Sequence, residues 1–386
     1  MSESSSFTSF PVIGILGGGQ LGKMLCQQAS KWSLPTHVLD KSWTFPAATV
    51  CDFFVEGDFT RYKDVMTFGR GVGLLTIEIE GVNSDALHGL VEEGIDVYPN
   101  PVALDIIKDK HEQKLFYMKH GLPSGPFMGF DGIEGLRAAI ANNLLDYPFV
   151  LKARKEGYDG RGVLIARIPA DLDNAFDVPC ITEPLVDIEM ELAVIVARNA
   201  DGEIRSFPPV GMTFHPTANL VEYLFCPAGI GPALEQEAIQ IAQSTAEAFG
   251  ICGLLAVEMF LTTDGDLLIN EVAPRPHNSG HHTIEGCNAS QYEQHLRAIL
   301  NLPLADVHLK SPTVMVNLLG EPGYTGPVQY AGLRECMRIG DTYLHLYGKA
   351  ETKPWRKMGH VTVLAPDMDR AMKKAKLIRE TLKVIS

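Results

Sequence analysis

The chain has 386 residues, of which 46% are hydrophobic and 21% are charged, a balance typical of a globular protein of roughly two to three domains. Its formal net charge of -14 argues against a general nucleic-acid binder or a protein of acidic membrane surfaces, because these neutralise phosphates with many Lys and Arg side chains. Seven Cys without a C-x-x-C motif, no apolar leader and no apolar run of about 18 residues favour a reduced cytoplasmic protein without a membrane segment.

The beginning of the chain alternates strand and helix patterns in the manner of a parallel sheet. The predicted elements are strands at 11–16, 36–39, 74–79 and 96–98 and helices at 20–31 and 84–93. Residues 1–105 are therefore predicted to form an N-terminal Rossmann-like domain.

The first turn of this domain carries a glycine motif. In GILGGGQLGKML, Gly17, Gly19 and Gly22 have the G-x-G-x-x-G spacing of a dinucleotide-binding loop. Asp40 ends the next strand, where such a fold places a ribose-binding acid. An NAD-dependent dehydrogenase or an NAD-binding regulatory module is thus one candidate, although it leaves the motifs downstream of residue 150 unexplained.

The rest of the chain has a mixed, largely antiparallel pattern, so the fold class is α/β and α+β. A central domain is predicted at 106–305 and a small C-terminal α+β domain at 306–386. The predicted elements are helices at 103–120, 235–249 and 369–382 and strands at 149–152, 163–166, 181–186 and 360–364. Gly250 is predicted to cap the second of these helices.

Two glutamates flank a predicted hairpin turn. If Asp264-Gly265 forms a two-residue turn, Glu258 and Glu271 lie directly opposite each other, about 5 Å apart on one face of the sheet. Two like charges at this spacing favour a hard cation, and Mg²⁺ commonly takes one or two carboxylates together with substrate phosphates. The alternative is a turn one residue longer, which would expose one of the glutamates.

A Pro-punctuated loop, APRPHNSGHH, follows the second glutamate. Its Arg275, His277 and Asn278 are predicted to project beside the same cation, and an Arg in this place suits a transferring phosphoryl group. The histidines also permit a zinc site, but Pro274 and Pro276 oppose the helical spacing that such a site would need.

A glycine-rich segment, EGYDGRG at 156–162, lies between two predicted strands. Its glycines allow backbone N–H groups to converge on phosphate oxygens, and Lys152 on the preceding strand supplies a charge. A plain turn is the alternative, although the polar tip residues Tyr158, Asp159 and Arg161 favour contact with a reactant.

The strand at 181–186 contains Pro184 and is therefore predicted to lie at a sheet edge with free backbone groups. Such an edge can bind a purine base, and Glu191 on the next strand can bind ribose hydroxyls. Either acid, Glu183 or Glu191, can also be a solvated surface residue.

Lys110, Lys152, GYDGRG, EPLV, Glu191 and NEVAPRPHNSGHH occur here in one order. Together they resemble the ATP-grasp superfamily and, within it, the N5-carboxyaminoimidazole ribonucleotide synthetase family of purine biosynthesis, over essentially the whole chain. The resemblance implies the three-domain ATP-grasp fold, an N-terminal Rossmann-like domain being followed by the ATP-grasp and a small α+β domain. It further suggests the N-terminal part of a fungal bifunctional phosphoribosylaminoimidazole carboxylase, whose mutase domain would be absent from this chain.

The resemblance implies a ligase reaction. Bicarbonate attacks the γ-phosphate of ATP, and the carboxyphosphate formed carboxylates 5-aminoimidazole ribonucleotide. The partners implied are ATP, bicarbonate and this ribonucleotide, with Mg²⁺ as cofactor and a homodimer as the assembly. Ala273 stands where many ATP-grasp enzymes have a third metal ligand, Asn, which leaves the number of metal ions open.

The resemblance also assigns roles to residues. Catalytic roles fall to Arg275, Tyr158, Asp159, Arg161 and His277. ATP is placed at Lys110, Lys152, Gly157, Gly160, Gly162, Glu183, Pro184, Leu185, Val186, Glu191 and Asn270, and Mg²⁺ at Glu258 and Glu271. The ribonucleotide is placed at Gln20, Leu21, Glu78, Asn278, Lys349, Arg356 and Lys357, the last three in a basic segment that is otherwise explained as a solvated charge run.

A related ATP-grasp enzyme, formate-dependent glycinamide ribonucleotide transformylase, is the nearest alternative. It has a Ser-rich, Lys-bearing flap and an Asp after its RPH sequence, whereas this chain has GYDGRG and Asn278.

Overall fold

The computed structural model describes residues 10–155, 162–215 and 220–386. Its N-terminal part is a parallel sheet covered by helices, as predicted. The elements are β1 (Ile13–Leu16), α1 (Gln20–Ser30), β2 (Thr36–Asp40), β3 (Phe53–Glu56), α2 (Tyr62–Gly69), β4 (Leu74–Ile77), α3 (Ser84–Glu92) and β5 (Asp96–Tyr98). The strand order is β3-β2-β1-β4-β5. The carboxyl ends of β1 and β4 are therefore adjacent, which brings the glycine loop next to the residues that follow β4.

The single helix predicted at 103–120 is wrong, because two helices replace it. They are α4 (Pro101–Ile107) and α5 (Lys110–Lys119). The break occurs at Asp109, whose carboxylate accepts hydrogen bonds from the backbone N–H groups of His111 and Glu112 and so caps α5. The same carboxylate forms a two-bond pair with Arg154, at 2.9 and 2.7 Å.

A small antiparallel sheet follows. Its elements are β6 (Met128–Phe130), α6 (Ile133–Ala141), β7 (Phe149–Ala153), β8 (Val163–Ala166) and β9 (Cys180–Pro184). The strand order β6-β9-β7-β8 places β9 inside the sheet, so the prediction that this strand forms an edge is wrong. However, β6 pairs only with residues 180–182, and Glu183 and Pro184 extend past its end.

One large sheet connects the central and C-terminal parts of the chain. The first elements are β10 (Ile188–Arg198), β11 (Ile204–Ser206), β12 (Val210–Phe214), β13 (Val221–Cys226), α7 (Pro232–Phe249), β14 (Gly253–Thr262), β15 (Leu267–Ala273), α8 (Thr283–Gly286) and α9 (Gln291–Ile299). The remaining elements are β16 (Thr313–Leu319), β17 (Gly326–Pro327), β18 (Gln329–Ala331), α10 (Leu333–Cys336), β19 (Thr342–Leu346), β20 (Glu351–Thr352), β21 (Lys357–Leu364), α11 (Met368–Thr381) and β22 (Lys383–Ile385). The order is β15-β14-β10-β12-β13-β16-β21-β19, with β11 beside β10. The pairing of β13 with β16 carries this sheet across the predicted boundary at 305, and the three domain ranges stay predictions.

The turn that joins β14 to β15 differs from the prediction. Leu261 pairs with Leu267, so the loop is longer than two residues, and the register shifts between Glu258 and Met259. This shift leaves one extra residue, Asn270, on β15 and brings Glu258 opposite Glu271. The two-residue turn is therefore wrong, whereas the pairing that it was used to predict is present.

Helix α7 covers one face of the large sheet. Ala238, Ala242 and Ala246 of this helix are buried in one core with Leu192 and Val257 of the sheet, and such burial is the main source of its stability. The helix ends at Gly250, which has φ +60 in the left-handed region, so the predicted cap is confirmed. In the described part of the chain, none of the helices is both long and apolar enough to cross a bilayer.

Candidate active site

A cavity of about 370 Å³ lies between the small sheet and the large sheet. Residues from both sheets, from the start of α5 and from the loop after β15 form its wall. The predicted site residues that line it are Lys110, Lys152, Glu183, Pro184, Leu185, Val186, Glu191, Glu258, Asn270, Glu271, His277, Asn278 and Lys357. Segments that are far apart in sequence are therefore brought together around one volume, which is of the size of ordinary small-molecule sites.

Three carboxylates gather on one side of this cavity. Glu258 lies opposite Glu271 across the β14–β15 ladder, and Glu191 lies on the neighbouring strand β10. Burial, together with the charges of Glu271 and Glu191, raises the pKa of the Glu258 carboxyl to about 8. Burial and the charge of Glu271 raise the pKa of Glu191 to about 7. The cluster is electrostatically unfavourable without a cation, which is the environment that a hard divalent ion relieves.

Lysines face these carboxylates. Lys110 Nζ lies 3.5 Å from Glu271 Oε2, and Lys152 Nζ donates to Asn270 Oδ1 at 2.9 Å. The bulge at Asn270 therefore links the two sheets, because the amide oxygen of the extra residue accepts a hydrogen bond from a lysine of the small sheet. Lys152 Nζ also lies 2.5 Å from Glu183 Oε2.

Much of the rest of the cavity wall is apolar. Its lining side chains come from both sheets: Val150, Ile165, Met212, Phe214, Phe260 and Leu268. The segment Glu183 to Val186 also lines the cavity and lies beyond the end of β6. An apolar wall next to a strand end that β6 does not pair suits a purine base.

The loop after β15 joins the cavity to the N-terminal part of the chain. Arg275 Nη2 lies 2.8 Å from Glu80 Oε1, in the segment that follows β4. His277 lies 3.7 Å from Glu258 through Nδ1 and Oε1, and burial lowers its pKa well below the usual value. The amide of Gln291 on α9 bonds both the N–H and the C=O of His277, each at 2.8 Å, and so fixes the course of the loop.

The N-terminal glycine loop holds a carboxylate of the protein itself. Glu78 accepts hydrogen bonds from the N–H groups of Gly19 and Gly22, at 3.0 and 2.9 Å. These donors stand at the start of α1, where a dinucleotide-binding fold places the pyrophosphate. Because Glu78 is only 9% exposed and takes these donors, the loop is unsuited to a dinucleotide. Gln20 and Leu21 follow it in the first turn of α1.

The basic residues predicted to bind the substrate phosphate make different contacts in the structure. Lys349 Nζ donates to the carbonyl of Lys357 at 2.7 Å, so these two lysines lie side by side. Arg356 turns its guanidinium to the carbonyl of Glu351 at 2.6 Å. Lys23 on α1, which the sequence interpretation did not include, donates to the carbonyls of Leu346 and Tyr347, at 3.1 and 3.3 Å. It ties the helix of the glycine loop to the strand that leads to Lys349.

Part of the predicted flap lies outside the described residues. This applies to Gly157, Tyr158, Asp159, Gly160 and Arg161. Gly162 is described, and its carbonyl accepts a hydrogen bond from the N–H of Ala153 at 2.8 Å.

Lys114 is the principal charged group that sequence reasoning missed. It lies one helical turn after Lys110 on α5, is 3% exposed and contacts Glu183. The spacing of four residues from Lys110 was visible in the sequence and places both lysines on one helix face. Its burial was not visible, because it depends on the packing of α5 against the small sheet.

Glu191, Glu258 and Glu271 do not by themselves form a three-ligand metal site, since within 10–155, 162–215 and 220–386 no group of three or more His, Cys, Asp or Glu is placed to hold a metal ion. Two carboxylates with phosphate oxygens are a usual Mg²⁺ environment, and Glu258 and Glu271 fit it in chemistry and position.

Three family models match successive parts of the chain. They describe a ribonucleotide synthetase preATP-grasp domain at residues 10–108, an ATP-grasp domain at 115–292 and a phosphoribosylaminoimidazole carboxylase C-terminal domain at 313–374.

Curated relatives carry two related names. Phosphoribosylaminoimidazole carboxylase of Vigna aconitifolia, a chloroplastic protein, is 37% identical over 92% of this chain, and the chain spans 64% of that relative's length. N5-carboxyaminoimidazole ribonucleotide synthase of Bacillus subtilis is 35% identical, and the match covers 93% of this chain and 92% of the relative.

Solved structures agree over nearly the whole chain. N5-carboxyaminoimidazole ribonucleotide synthetase from Thermotoga maritima has 42% identity and a TM-score of 0.90, with 98% of this chain and 100% of that chain covered. The synthase from Aspergillus clavatus, in complex with ADP and 5-aminoimidazole ribonucleotide, has 32% identity and a TM-score of 0.87, with 97% and 98% covered. The predicted fold is confirmed by these matches and by the sheets described above.

Proposed function

Because the chain belongs to the N5-carboxyaminoimidazole ribonucleotide synthetase family of ATP-grasp enzymes, we propose that it uses ATP and bicarbonate to carboxylate 5-aminoimidazole ribonucleotide. The product is N5-carboxyaminoimidazole ribonucleotide, an intermediate of purine biosynthesis. The observation that carries the proposal for this chain is that Glu258, Glu271, Lys110 and Lys152 all line one and the same cavity.

The reaction has two displacements. An oxygen of bicarbonate attacks the γ-phosphorus of ATP, and the bond to the β-phosphate oxygen breaks to release ADP. The amine nitrogen of the ribonucleotide then bonds to the carbon of carboxyphosphate, losing a proton as phosphate leaves. Positioning and charge stabilisation contribute most to such phosphoryl transfers, and water must be excluded because carboxyphosphate hydrolyses readily.

The ATP subsite is proposed at the junction of the two sheets. Lys110 and Lys152 would contact phosphates, and Gly157, Gly160 and Gly162 of the flap are proposed to bind the same phosphates through backbone N–H groups. The base would lie along Glu183, Pro184, Leu185 and Val186, with Glu191 at the ribose and Asn270 beside Lys152. Glu258 and Glu271 would hold Mg²⁺, which when bound neutralises phosphate charge.

The ribonucleotide subsite is proposed between the N-terminal and C-terminal parts of the chain. The residues concerned are Gln20, Leu21, Glu78, Asn278, Lys349, Arg356 and Lys357. Arg275 and His277 connect this subsite to the carboxylate pair, as their contacts with Glu80 and Glu258 support. Tyr158, Asp159 and Arg161 are proposed to close over bicarbonate or carboxyphosphate.

An assay of ADP release tests the function. With ATP, Mg²⁺ and bicarbonate, we expect ADP release to depend on 5-aminoimidazole ribonucleotide, and label from ¹⁴C-bicarbonate to appear on the ribonucleotide. Glu271→Gln should reduce the rate by at least about 100-fold, as expected when a ligand of the phosphate-bound cation is lost. Glu237→Gln, on the exposed side of α7, is the matched control and should not change the rate.

Turnover with formate and glycinamide ribonucleotide, without turnover of 5-aminoimidazole ribonucleotide, would contradict the proposal and support the transformylase alternative. Two further proposals follow from the resemblance to the family. The chain is proposed to form a homodimer, and it is proposed to be fused to a mutase domain in the complete protein. Sedimentation of the protein tests the first, and the sequence of the complete gene product tests the second.

A further inference from the structure

Glu183 is a buried carboxylate with two ammonium partners. Lys114, from α5, contacts its Oε1 atom, and Lys152, from β7, lies 2.5 Å from its Oε2 atom. Lys114 is 3% exposed and Glu183 is 9% exposed. Lys114 also lies 3.5 Å from the carbonyl of Gly125. Tyr117 of α5, whose buried hydroxyl has no hydrogen-bond partner among the described residues, is a further titratable group near this carboxylate.

The two ammonium groups differ in what surrounds them. Lys152 lies on the cavity wall and also bonds Asn270, next to the carboxylate pair. Lys114 does not line the cavity, and its closest polar neighbours are Glu183 and one backbone carbonyl. A ligand in the cavity can therefore reach Lys152 while Lys114 stays in place.

Charge balance then decides how freely Lys152 can turn to a phosphate. A buried carboxylate that loses its partner is strongly destabilised because it is no longer solvated by water, so Lys152 is costly to withdraw if it is the sole counter-ion. With Lys114 present, Glu183 keeps one cation when Lys152 moves. Burial by itself would raise the pKa of Glu183, but the charges of Lys152 and Lys114 hold it below its ordinary value. Burial lowers the pKa of Lys114, and Glu183 opposes that shift.

The backbone fixes Lys114 relative to Lys152. The N–H of Lys110, the first residue of α5, donates to the carbonyl of Arg154 just after β7, at 2.9 Å. The side chain of Arg154 in turn holds Asp109, which caps α5. Helix α5 and strand β7 are therefore connected by the Lys110–Arg154 and Arg154–Asp109 contacts. Both lie about one helical turn from the Lys114–Glu183 contact.

We propose that Lys114 is a positioning residue that serves as the permanent counter-ion of Glu183 and thereby releases Lys152 to the phosphates of ATP. The proposal rests on the ATP subsite proposed above and adds to it a residue outside the cavity. It assigns to Lys114 a role in nucleotide affinity rather than in the chemistry of the ribonucleotide.

The test compares Lys114→Met and Lys114→Arg with Lys119→Met, a control that removes an exposed cation from the same helix. In Lys114→Met, Glu183 is left with Lys152 alone, and we expect the KM for ATP to rise by about tenfold or more. The KM for 5-aminoimidazole ribonucleotide should change less than about twofold. Lys114→Arg should recover most of the ATP affinity, and Lys119→Met should match the unsubstituted protein.

A pH series separates positioning from a merely structural ion pair. In Lys114→Met, loss of one cation raises the pKa of Glu183, and protonation at lower pH releases Lys152. The defect in KM for ATP should therefore shrink as the pH falls from 8 to 6 and grow as it rises. A defect that is independent of pH, that affects both substrates equally, or that is absent would overturn the proposal. Calorimetric titration with Mg·ATP gives the same comparison even if the carboxylation assay fails, so the two proposals fail separately.

Discussion

The ionised form of the Glu258 side chain is destabilised by its surroundings in the protein. It is held on a central strand with 17% of its side chain exposed, opposite one carboxylate and beside another. Its carboxyl would be ionised without cost in water, whereas here its pKa is about 8. Such strain is common in sites where a bound cation or substrate supplies the missing charge.

The first prediction concerns Glu258→Gln in metal-free protein. The pKa of Glu258 is higher in the folded than in the unfolded protein. Its protonation therefore contributes fully to the free energy of unfolding below about pH 4.5, and this contribution is lost as the pH rises toward 8. Gln does not ionise, so the variant should be more stable than the unsubstituted protein at pH 8.5, by on the order of 2 kcal/mol. The difference should disappear near pH 5.

Urea unfolding in EDTA at several pH values measures this difference. Mg·ATP should reverse the order at pH 8.5, because it stabilises only the protein that can bind it. A variant that is less stable than the unsubstituted protein at pH 8.5 in EDTA would contradict the interpretation of the carboxylate cluster.

At the scale of elements, the glycine loop and α1 pack closely. A Cβ at Gly22 would lie 2.6 Å from the backbone carbonyl oxygen of Gly17, so the helix start can approach the loop only without a side chain there. This approach places the N–H groups of Gly19 and Gly22 on Glu78. The motif spacing therefore reflects close backbone packing, and the anion it binds is a side chain of the protein.

We therefore predict that Gly22→Ala destabilises the protein by about 1–3 kcal/mol, because the clash with a backbone oxygen outweighs the better helix propensity of Ala. Gly135→Ala on α6 is the matched control, since its Cβ would meet its nearest neighbour at 3.8 Å, and it should be neutral or stabilising by about 0.5–1 kcal/mol. Chemical unfolding of both variants provides the measurement. Equal stability of the two variants would show that the loop and helix can separate at no cost.

At the scale of the whole molecule, buried histidines join parts of the chain that are distant in sequence. His295 on α9 bonds Thr76 on β4 at 2.9 Å, which connects the large sheet's helix layer to the N-terminal sheet. His281 and His345 both stack on His360, at 4.5 and 4.4 Å. Burial lowers the pKa of His295 to about 3 and that of His360 well below its ordinary value.

The buried rings of His281, His295 and His360 are predicted to make an acid-sensitive contribution to the stability of the fold. The unfolded chain binds protons at histidine below about pH 6.5, whereas the folded protein keeps the buried rings neutral, so the contribution of these groups to stability falls as the pH decreases from 6.5 to 5. Each such group adds up to about 1.4 kcal/mol per pH unit to this slope. The free energy of unfolding, measured by urea titration across this range, checks the expectation.

His295→Gln should reduce the acid slope by up to one proton, because the titrating group is removed while an amide remains near Thr76. His120→Gln, which removes a histidine from an exposed position, is the matched control. An acid slope in His295→Gln equal to that of the unsubstituted protein would contradict this account.

Much of the fold and part of the site could be predicted from local patterns. The strands around the glycine loop and helix α7 with its Gly250 cap occur where periodicity and turn chemistry indicated them. The opposition of Glu258 and Glu271 was predicted from the wrong turn, because the extra residue in the loop and the register shift at Asn270 compensate each other. Sequence spacing counts residues between two positions, and it does not show where a bulge absorbs one.

By itself, the sequence determined the order of the elements, the positions of the charged groups along them and, through its motifs, the family. Only the tertiary structure decided what each charge faces. In the folded protein Glu78 accepts hydrogen bonds from the glycine loop, and Lys114 forms an ion pair with Glu183. The C-terminal strands join the same sheet as the carboxylate pair. The physical reason is that propensity and periodicity act over a few neighbouring residues, whereas desolvation and pairing energies depend on contacts between segments far apart in the chain.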